Sequence, residues 1–226
     1  MSVYKIPQDT LIFPHPSLGT RQGLLGIGGD LSIERILLAY SNGIFPWNNE
    51  GEEIMWWCLT PRLVLYPKEI KISKSMSTVL GKHNFEIRYD KAFEQVIDEC
   101  SKISRKAQDG TWIHTQLKKS FIDLNEAGIA HSVEVWKNNE IIGGLYGLGI
   151  GRMFCGESMF AKESNMSKVA LVHLCEKLIN MGYEFIDCQQ DTSHLRSLGA
   201  RLMSKNKFFK FLESNKTVEI AKGKWE

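Results

Sequence analysis

Apolar side chains recur at helical spacing between Asp30 and Gly43, at Ile33, Ile36, Leu37 and Tyr40, which predicts a helix with one buried face that stops at the glycine. The stretch that follows, Ile44-Phe45-Pro46-Trp47 and then Trp56-Trp57, is aromatic and punctuated by proline, and reads as ordered but non-helical chain. Further on, Phe85 to Tyr89 has the pattern of a strand, and Phe93, Val96, Ile97 and Cys100 share one face of a helix. Another helix is expected from roughly His114 to Ala127, ending at Gly128, where a left-handed cap costs glycine little. Two strands, His131 to Trp136 and Glu140 to Leu148, are separated by the turn residues Asn138-Asn139 and predict an antiparallel hairpin. A third strand over Arg152 to Phe160 precedes a helix from about Asn165 to Met181 that buries Leu171, Leu174, Cys175 and Leu178 and stops at Gly182. The strand Tyr183 to Cys188 closes the unit.

Strands and helices mixed in this order predict an α+β fold with a mixed sheet. The segment before Arg62 is instead dense in turn formers, among them Pro14, Pro16, Gly19, Gly23, Gly26, Gly28 and Gly29. A boundary near Arg62 therefore divides a small N-terminal domain, 1–62, from a larger domain, 63–226. With 226 residues, 43% of them hydrophobic, the chain has enough apolar material for a proper core without staples.

Composition narrows the chemistry. Five cysteines, with no C-x-x-C pair and no histidine spacing suited to zinc, fit neither a fully paired disulfide framework nor a metal site. They point to a reducing compartment, and Met1 to Gln8 lacks the pattern of a signal peptide, so the cytoplasm is expected. No stretch is long and apolar enough to suggest a bilayer span. A formal charge of +2 neither requires nor excludes nucleic acid. Basic clusters at Lys68, Lys71 and Lys74, at Lys102, Arg105 and Lys106, and at Lys205, Lys207 and Lys210 could each bind phosphate or simply be solvated.

Polar groups inside otherwise apolar strands cost stability unless partners or function offset them, so they mark candidate chemistry. Glu157 lies mid-strand in Phe154-Cys155-Gly156-Glu157-Ser158-Met159-Phe160, and strict alternation puts it on the face of Met153, Cys155 and Met159; it could also be an outward-facing charge. Phe185-Ile186-Asp187-Cys188-Gln189-Gln190 ends an apolar strand in a carboxylate and two amides, and the spacing puts Asp187 and Gln189 on one face; Asp187 could equally cap the following turn. Gly143 to Gly151 is glycine-rich without the dinucleotide fingerprint, and Gly23 to Gly29 lacks the Lys-Ser/Thr end of a phosphate loop, so a nucleotide-binding enzyme is poorly supported. His173 reads as a helix histidine, and His194 as a secondary candidate base.

Six segments in order, Gly43-Ile44-Phe45-Pro46-Trp47, Trp56-Trp57 with Pro61-Arg62, Gly110-Thr111-Trp112-Ile113, His131-Ser132-Val133-Glu134-Val135-Trp136, Gly156-Glu157-Ser158-Met159-Phe160 and Ile186-Asp187-Cys188-Gln189, together resemble the leucyl/phenylalanyl-tRNA-protein transferases; Ser197-Leu198-Gly199-Ala200 extends the match. The resemblance implies that the larger domain is similar to the N-acetyltransferase (GNAT) fold. It also implies transfer of Leu or Phe, and less readily Met, from aminoacyl-tRNA to proteins with N-terminal Arg or Lys, which marks them for N-degron proteolysis. Asp187, Gln189 and Glu157 would be the catalytic residues, with Glu157 in the acceptor and donor pocket. Trp47, Trp112 and Phe154 would surround the aminoacyl-adenosine end, and Leu145, Leu171 and Leu174 the side chain. Aminoacyl-tRNA is then a co-substrate, with no cofactor and no metal, and the protein is expected to be a monomer that does not bind membranes. Asp187→Ala is expected to depress turnover with folding intact. Where relatives often carry a serine after the paired tryptophans, this chain has Cys58. An acetyl-CoA dependent N-acyltransferase is the alternative, but no loop suited to a pyrophosphate is evident.

Overall fold

The computed structural model describes residues 3–82, 84–103 and 112–226. Arg105, Lys106, Gly110 and Thr111, named above, lie outside the described residues. A small sheet is built from β1 (Tyr4–Ile6), β2 (Leu24–Gly28), β3 (Phe45–Pro46) and β4 (Met55–Trp57), in the order β1-β2-β4-β3. Between β2 and β3 runs α1 (Ile33–Ser41), whose start is capped by the Ser32 hydroxyl accepting from the Arg35 N–H. Ile36, Ala39 and Tyr40 are buried, whereas Ile33 and Leu37 are only half-buried. The helix stops where expected: Gly43 has φ +69°, and a Cβ there would lie 2.7 Å from the Phe208 ring.

The larger sheet comprises β5 (Arg62–Leu65), β6 (Glu86–Tyr89), β7 (Ala130–Lys137), β8 (Glu140–Ile150), β9 (Met153–Ala161), β10 (Phe185–Gln189) and β11 (Arg201–Met203), in the order β11-β5-β10-β9-β8-β7-β6. The helices are α2 (Lys74–Leu80), α3 (Phe93–Ser101), α4 (Thr115–Glu126), α5 (Met166–Asn180), α6 (Ser193–Ser197) and α7 (Lys205–Asn215). The fold is thus α+β with a mixed sheet, as its strand and helix periods predict. Asn138 and Asn139, at φ +50° and +62°, form the tight turn joining β7 to β8.

The sheet separates two apolar clusters. On one face α1, α3 and α4 cover Tyr146, Leu148, Ile150, Met153 and Cys155, in a cluster that also takes in Phe45 and Trp56 of the small sheet. On the other face α5 covers Val133, Leu145, Phe154 and Ile186. Helix α5 sits so close that a Cβ at Gly143 would lie 2.4 Å from the Met166 Cβ and 2.9 Å from its carbonyl carbon. Gly143→Ala is therefore expected to lift the start of α5 and cost about 1–3 kcal/mol, read as a lower urea midpoint at unchanged m-value.

Strands β9 and β10 are parallel neighbours joined through α5, the crossover that a parallel pair requires. They pair only at Phe185↔Met153, Ile186↔Phe154 and Asp187↔Cys155. Beyond Cys155, β9 continues against β8 alone, and the gap that opens beside β10 positions the site.

Candidate active site

Two bulges sit where β9 and β10 part. In β9, Ser158 pairs with Tyr146 but Gly156 with Gly147, so Glu157 is an extra residue. Strict alternation therefore fails there: Met153 and Cys155 stay in the cluster under α3 and α4, while Met159 crosses to the α5 side with Phe154 and Leu145. In β10, Asp187 pairs with Val64 and Gln189 with Leu63, leaving Cys188 as the extra residue. Gln189 takes φ +57°, so Asp187 and Gln189 do not share one face as their spacing suggested. A bulge re-aims side chains, and here it turns Gln189 toward Glu157 across the gap.

Gln189 Nε2 donates to Glu157 Oε1 at 2.9 Å, and the Gln189 backbone N–H donates to Asp187 Oδ1 at 2.9 Å. The Tyr40 phenol, on α1, also hydrogen-bonds Glu157. Burial pushes the Glu157 carboxyl up to about 8; the nearby Asp187 charge adds to this, while the bonds from Tyr40 and Gln189 and the Arg62 charge oppose it. Burial likewise raises the Tyr40 phenol well above its usual range.

Asp187 is only 2% exposed and lies behind the gap. Its Oδ1 is 3.0 Å from Arg62 Nε, an ion pair without the alignment of a hydrogen bond. The guanidinium, 1% exposed, is held by other contacts: Nη2 donates to the Gly43 carbonyl at 2.5 Å, and its carbon stands 5.4 Å from the Phe45 ring centre and 4.5 Å from that of Phe208. Burial raises the Asp187 carboxyl, against the pull of Arg62 and of the Gln189 N–H. The guanidinium stays charged, so at 3.0 Å it opposes the rise that burial imposes on the carboxyl.

The gap opens into a cavity of about 610 Å³. Leu145, Phe154, Met159, Leu171, Leu174 and Ile186 supply apolar wall, and Trp47 and Trp112 also line it. Glu157 and Gln189 form a polar corner, with Gln190, Thr192 and His194 nearby. Of the residues picked from the sequence, Trp47, Trp112, Phe154, Leu145, Leu171, Leu174, Glu157 and Gln189 therefore meet in one cavity, while Asp187 stands behind its wall. His194 is exposed, and His173 faces Glu176 on α5, away from the cavity lining. Sequence reasoning missed Arg62 as a partner of this corner and took Tyr40 only as core. A charged residue heading the buried run Arg62-Leu63-Val64-Leu65 was the available signal.

Lys68, Lys71, Lys74, Lys205, Lys207 and Lys210 are all exposed, as is Lys102, which pairs with Glu99. No helix among the described residues is long and apolar enough to cross a membrane.

An apolar cavity with a carboxylate and an amide at one corner, on a mixed sheet opened between parallel strands, suits a group-transfer enzyme that aligns two substrates. Residues 64–213 match the model of the family described as leucyl/phenylalanyl-tRNA protein transferase, and residues 29–59 that of its N-terminal domain. The chain is similar to a leucyl/phenylalanyl-tRNA–protein transferase of Syntrophobacter fumaroxidans, with 47% identity over 226 residues, covering 100% of this chain and 96% of that protein. It is also similar to one of Flavobacterium johnsoniae, with 48% identity over 204 residues, 90% of this chain and 96% of that protein. The protein belongs to the leucyl/phenylalanyl-tRNA–protein transferase family and is an aminoacyltransferase. Among solved structures it is similar to a GCN5-related N-acetyltransferase from Kribbella flavida, at 8% identity and a TM-score of 0.39, over 73% of this chain and 58% of that one.

Proposed function

We propose that this enzyme moves Leu or Phe, and less readily Met, from aminoacyl-tRNA to the N-terminal Arg or Lys of acceptor proteins, marking them for N-degron proteolysis in the cytoplasm. The observation that carries the reading is the hydrogen-bonded Glu157–Gln189 corner in the wall of an apolar cavity. An ester to tRNA is already activated, so a neutral α-amine attacks its carbonyl without a cofactor or metal; the new amide C–N bond replaces the ester C–O bond, and the tRNA leaves through its terminal ribose hydroxyl, whose oxygen takes up the proton the amine gives up. Alignment alone supplies roughly 7–11 kcal/mol when the reacting atoms are held close. Phe154, Leu145, Leu171 and Leu174 enclose an apolar side chain that is not branched at Cβ, and a side chain branched there clashes with that wall. Trp47 and Trp112 offer aromatic surface to the terminal adenine. Glu157 as a carboxylate holds the cationic acceptor side chain. Gln189, whose Nε2 is committed to Glu157, has its carbonyl oxygen to accept from the attacking amine, and Asp187 fixes Gln189 through the backbone N–H.

Incubation with labelled Phe-tRNA and an Arg-starting peptide is expected to label the peptide, whereas labelled acetyl-CoA is expected not to. The reverse pattern selects the acetyltransferase reading, and labelling by neither rejects both.

The pH profile tests the role of Glu157. Its carboxyl is raised to about 8, so the ionised form that attracts a cation appears only as pH rises through that value. The acceptor's α-amine loses its proton near pH 7.7–8.0. Below about pH 6.5, log kcat/KM for the acceptor should thus climb with a slope of about two, one for each deprotonation. In Glu157→Gln the slope should fall to about one, with a weaker acceptor KM. Equal slopes in the two proteins remove Glu157 from acceptor binding.

A further inference from the structure

We propose that Trp225 is a positioning residue for the donor side-chain pocket, acting through Phe154 to set the depth of the cavity and so the choice between donor side chains. The inference rests on the function proposed above.

The stretch Gly223–Glu226 is strapped to the larger domain at every residue. The Gly223 N–H donates to the Gly128 carbonyl at 3.1 Å, and the two backbones approach so closely that a Cβ at Gly128 would lie 2.2 Å from the Gly223 nitrogen. Lys224 Nζ donates to Asn125 Oδ1, the Trp225 N–H donates to Asp90 Oδ2 at 2.8 Å, and Lys177 Nζ donates to the Glu226 carbonyl at 2.5 Å. The Trp225 indole is buried and stacks flat on the His131 imidazole, with centroids 4.0 Å apart and planes 5° apart.

This arrangement accounts for two buried polar groups that the transfer chemistry does not use. Asp90 accepts from His131 Nδ1 at 2.8 Å, from the Ser132 N–H at 2.7 Å and from the Trp225 N–H. Together Asp90 and His131 make a rigid flat seat on the sheet, with the carboxylate fixing the ring and the ring receiving the indole. From that seat Trp225 meets Phe154, with centroids 5.7 Å apart and planes tilted by 33°.

Phe154 lines the cavity and Trp225 does not, so any effect of the indole on the donor passes through the phenyl ring. The same ring rests on bare backbone at Gly147, where a Cβ would come within 2.6 Å of its Cε1. Gly147 and Trp225 thus fix where Phe154 stands. Without the indole the phenyl ring has space to recede, the cavity deepens, and a bulkier donor side chain gains relative to a smaller one.

The test measures kcat/KM for Leu-tRNA and Phe-tRNA with an Arg-starting peptide, and the peptide's own KM, in wild type and in Trp225→Phe, Trp225→Leu and Trp225→Ala, with thermal melts of each. Trp225→Phe keeps an aromatic face and is expected to retain the wild-type donor ratio. Trp225→Leu and Trp225→Ala are expected to raise the KM for Leu-tRNA and shift the ratio toward Phe by about threefold or more, with the peptide KM unchanged. A residue that served stability alone would lower kcat for both donors together, through the folded fraction, and leave KM in place. The proposal is overturned by a folded Leu variant with the wild-type ratio and donor KM, by a peptide KM that moves in step with the donor KM, or by failure of both smaller variants to fold. Wild-type protein that uses neither donor overturns the functional reading itself; a normal wild type with unshifted variants overturns the role of Trp225 alone.

Discussion

Asp187→Ala is expected to unfold much of the protein's margin of stability, at roughly 3–5 kcal/mol, because it strips the partner from a guanidinium that is 1% exposed. The role that the family resemblance gives Asp187 leads to an expected loss of turnover with folding intact; the buried ion pair with Arg62 leads to an expected loss of stability as well. Turnover measured on the Ala variant therefore mixes two losses. The double substitution Arg62→Met with Asp187→Leu separates them, since removing both charges takes away the desolvation penalty together with the attraction. It should regain most of the chemical stability, read from urea midpoints, and remain inactive, because Gln189 loses the acceptor that holds its N–H. Were the double variant as unstable as Asp187→Ala, the ion pair would not be the origin of the loss; were it active, Asp187 would have no part in positioning Gln189.

The second large effect is expected at Gln189 itself, and there with little change in stability. Its φ of +57° lies in the left-handed region, where asparagine is tolerated better than most residues. Gln189→Asn thus keeps the backbone and the amide but shortens the reach by one methylene, breaking the 2.9 Å bond to Glu157. Turnover should fall by about 10²-fold or more while the melting temperature stays close to that of the wild type. Peptide KM should change much less than kcat, because Glu157 still holds the acceptor's cation. A variant with normal kcat would show that the amide at 189 does not touch the reacting amine.

Most long elements were legible because their apolar spacing is unambiguous: the hairpin of β7 and β8, the crossover helix α5 and strand β10 fall within a few residues of where the sequence puts them. Strands β5 and β11, with four and three residues, were not foreseen, since their pairing is decided by contacts with β10 and with each other rather than by a local period. Most of the cavity lining was legible through resemblance rather than period. The bulges at Glu157 and Cys188 were invisible, as an extra residue in a strand leaves no mark on composition. Period-two reading therefore misplaced Met159 and put Asp187 and Gln189 on one face. Arg62 as the partner of Asp187, Tyr40 on Glu157 and Trp225 behind Phe154 each join positions far apart in the chain, which spacing cannot reveal.

The aromatic wall on Arg62 has a further implication for how the molecule comes into being. Phe208 of α7 covers the guanidinium, and the same ring closes against Gly43, just ahead of β3 in the small sheet. A ribosome delivers residue 43 long before residue 208, so the first part of the chain to be synthesised is among the last to be sealed. During that interval a nascent polypeptide carries an unshielded arginine and an open N-terminal face, and it gains a working centre only when α7 has emerged and docked.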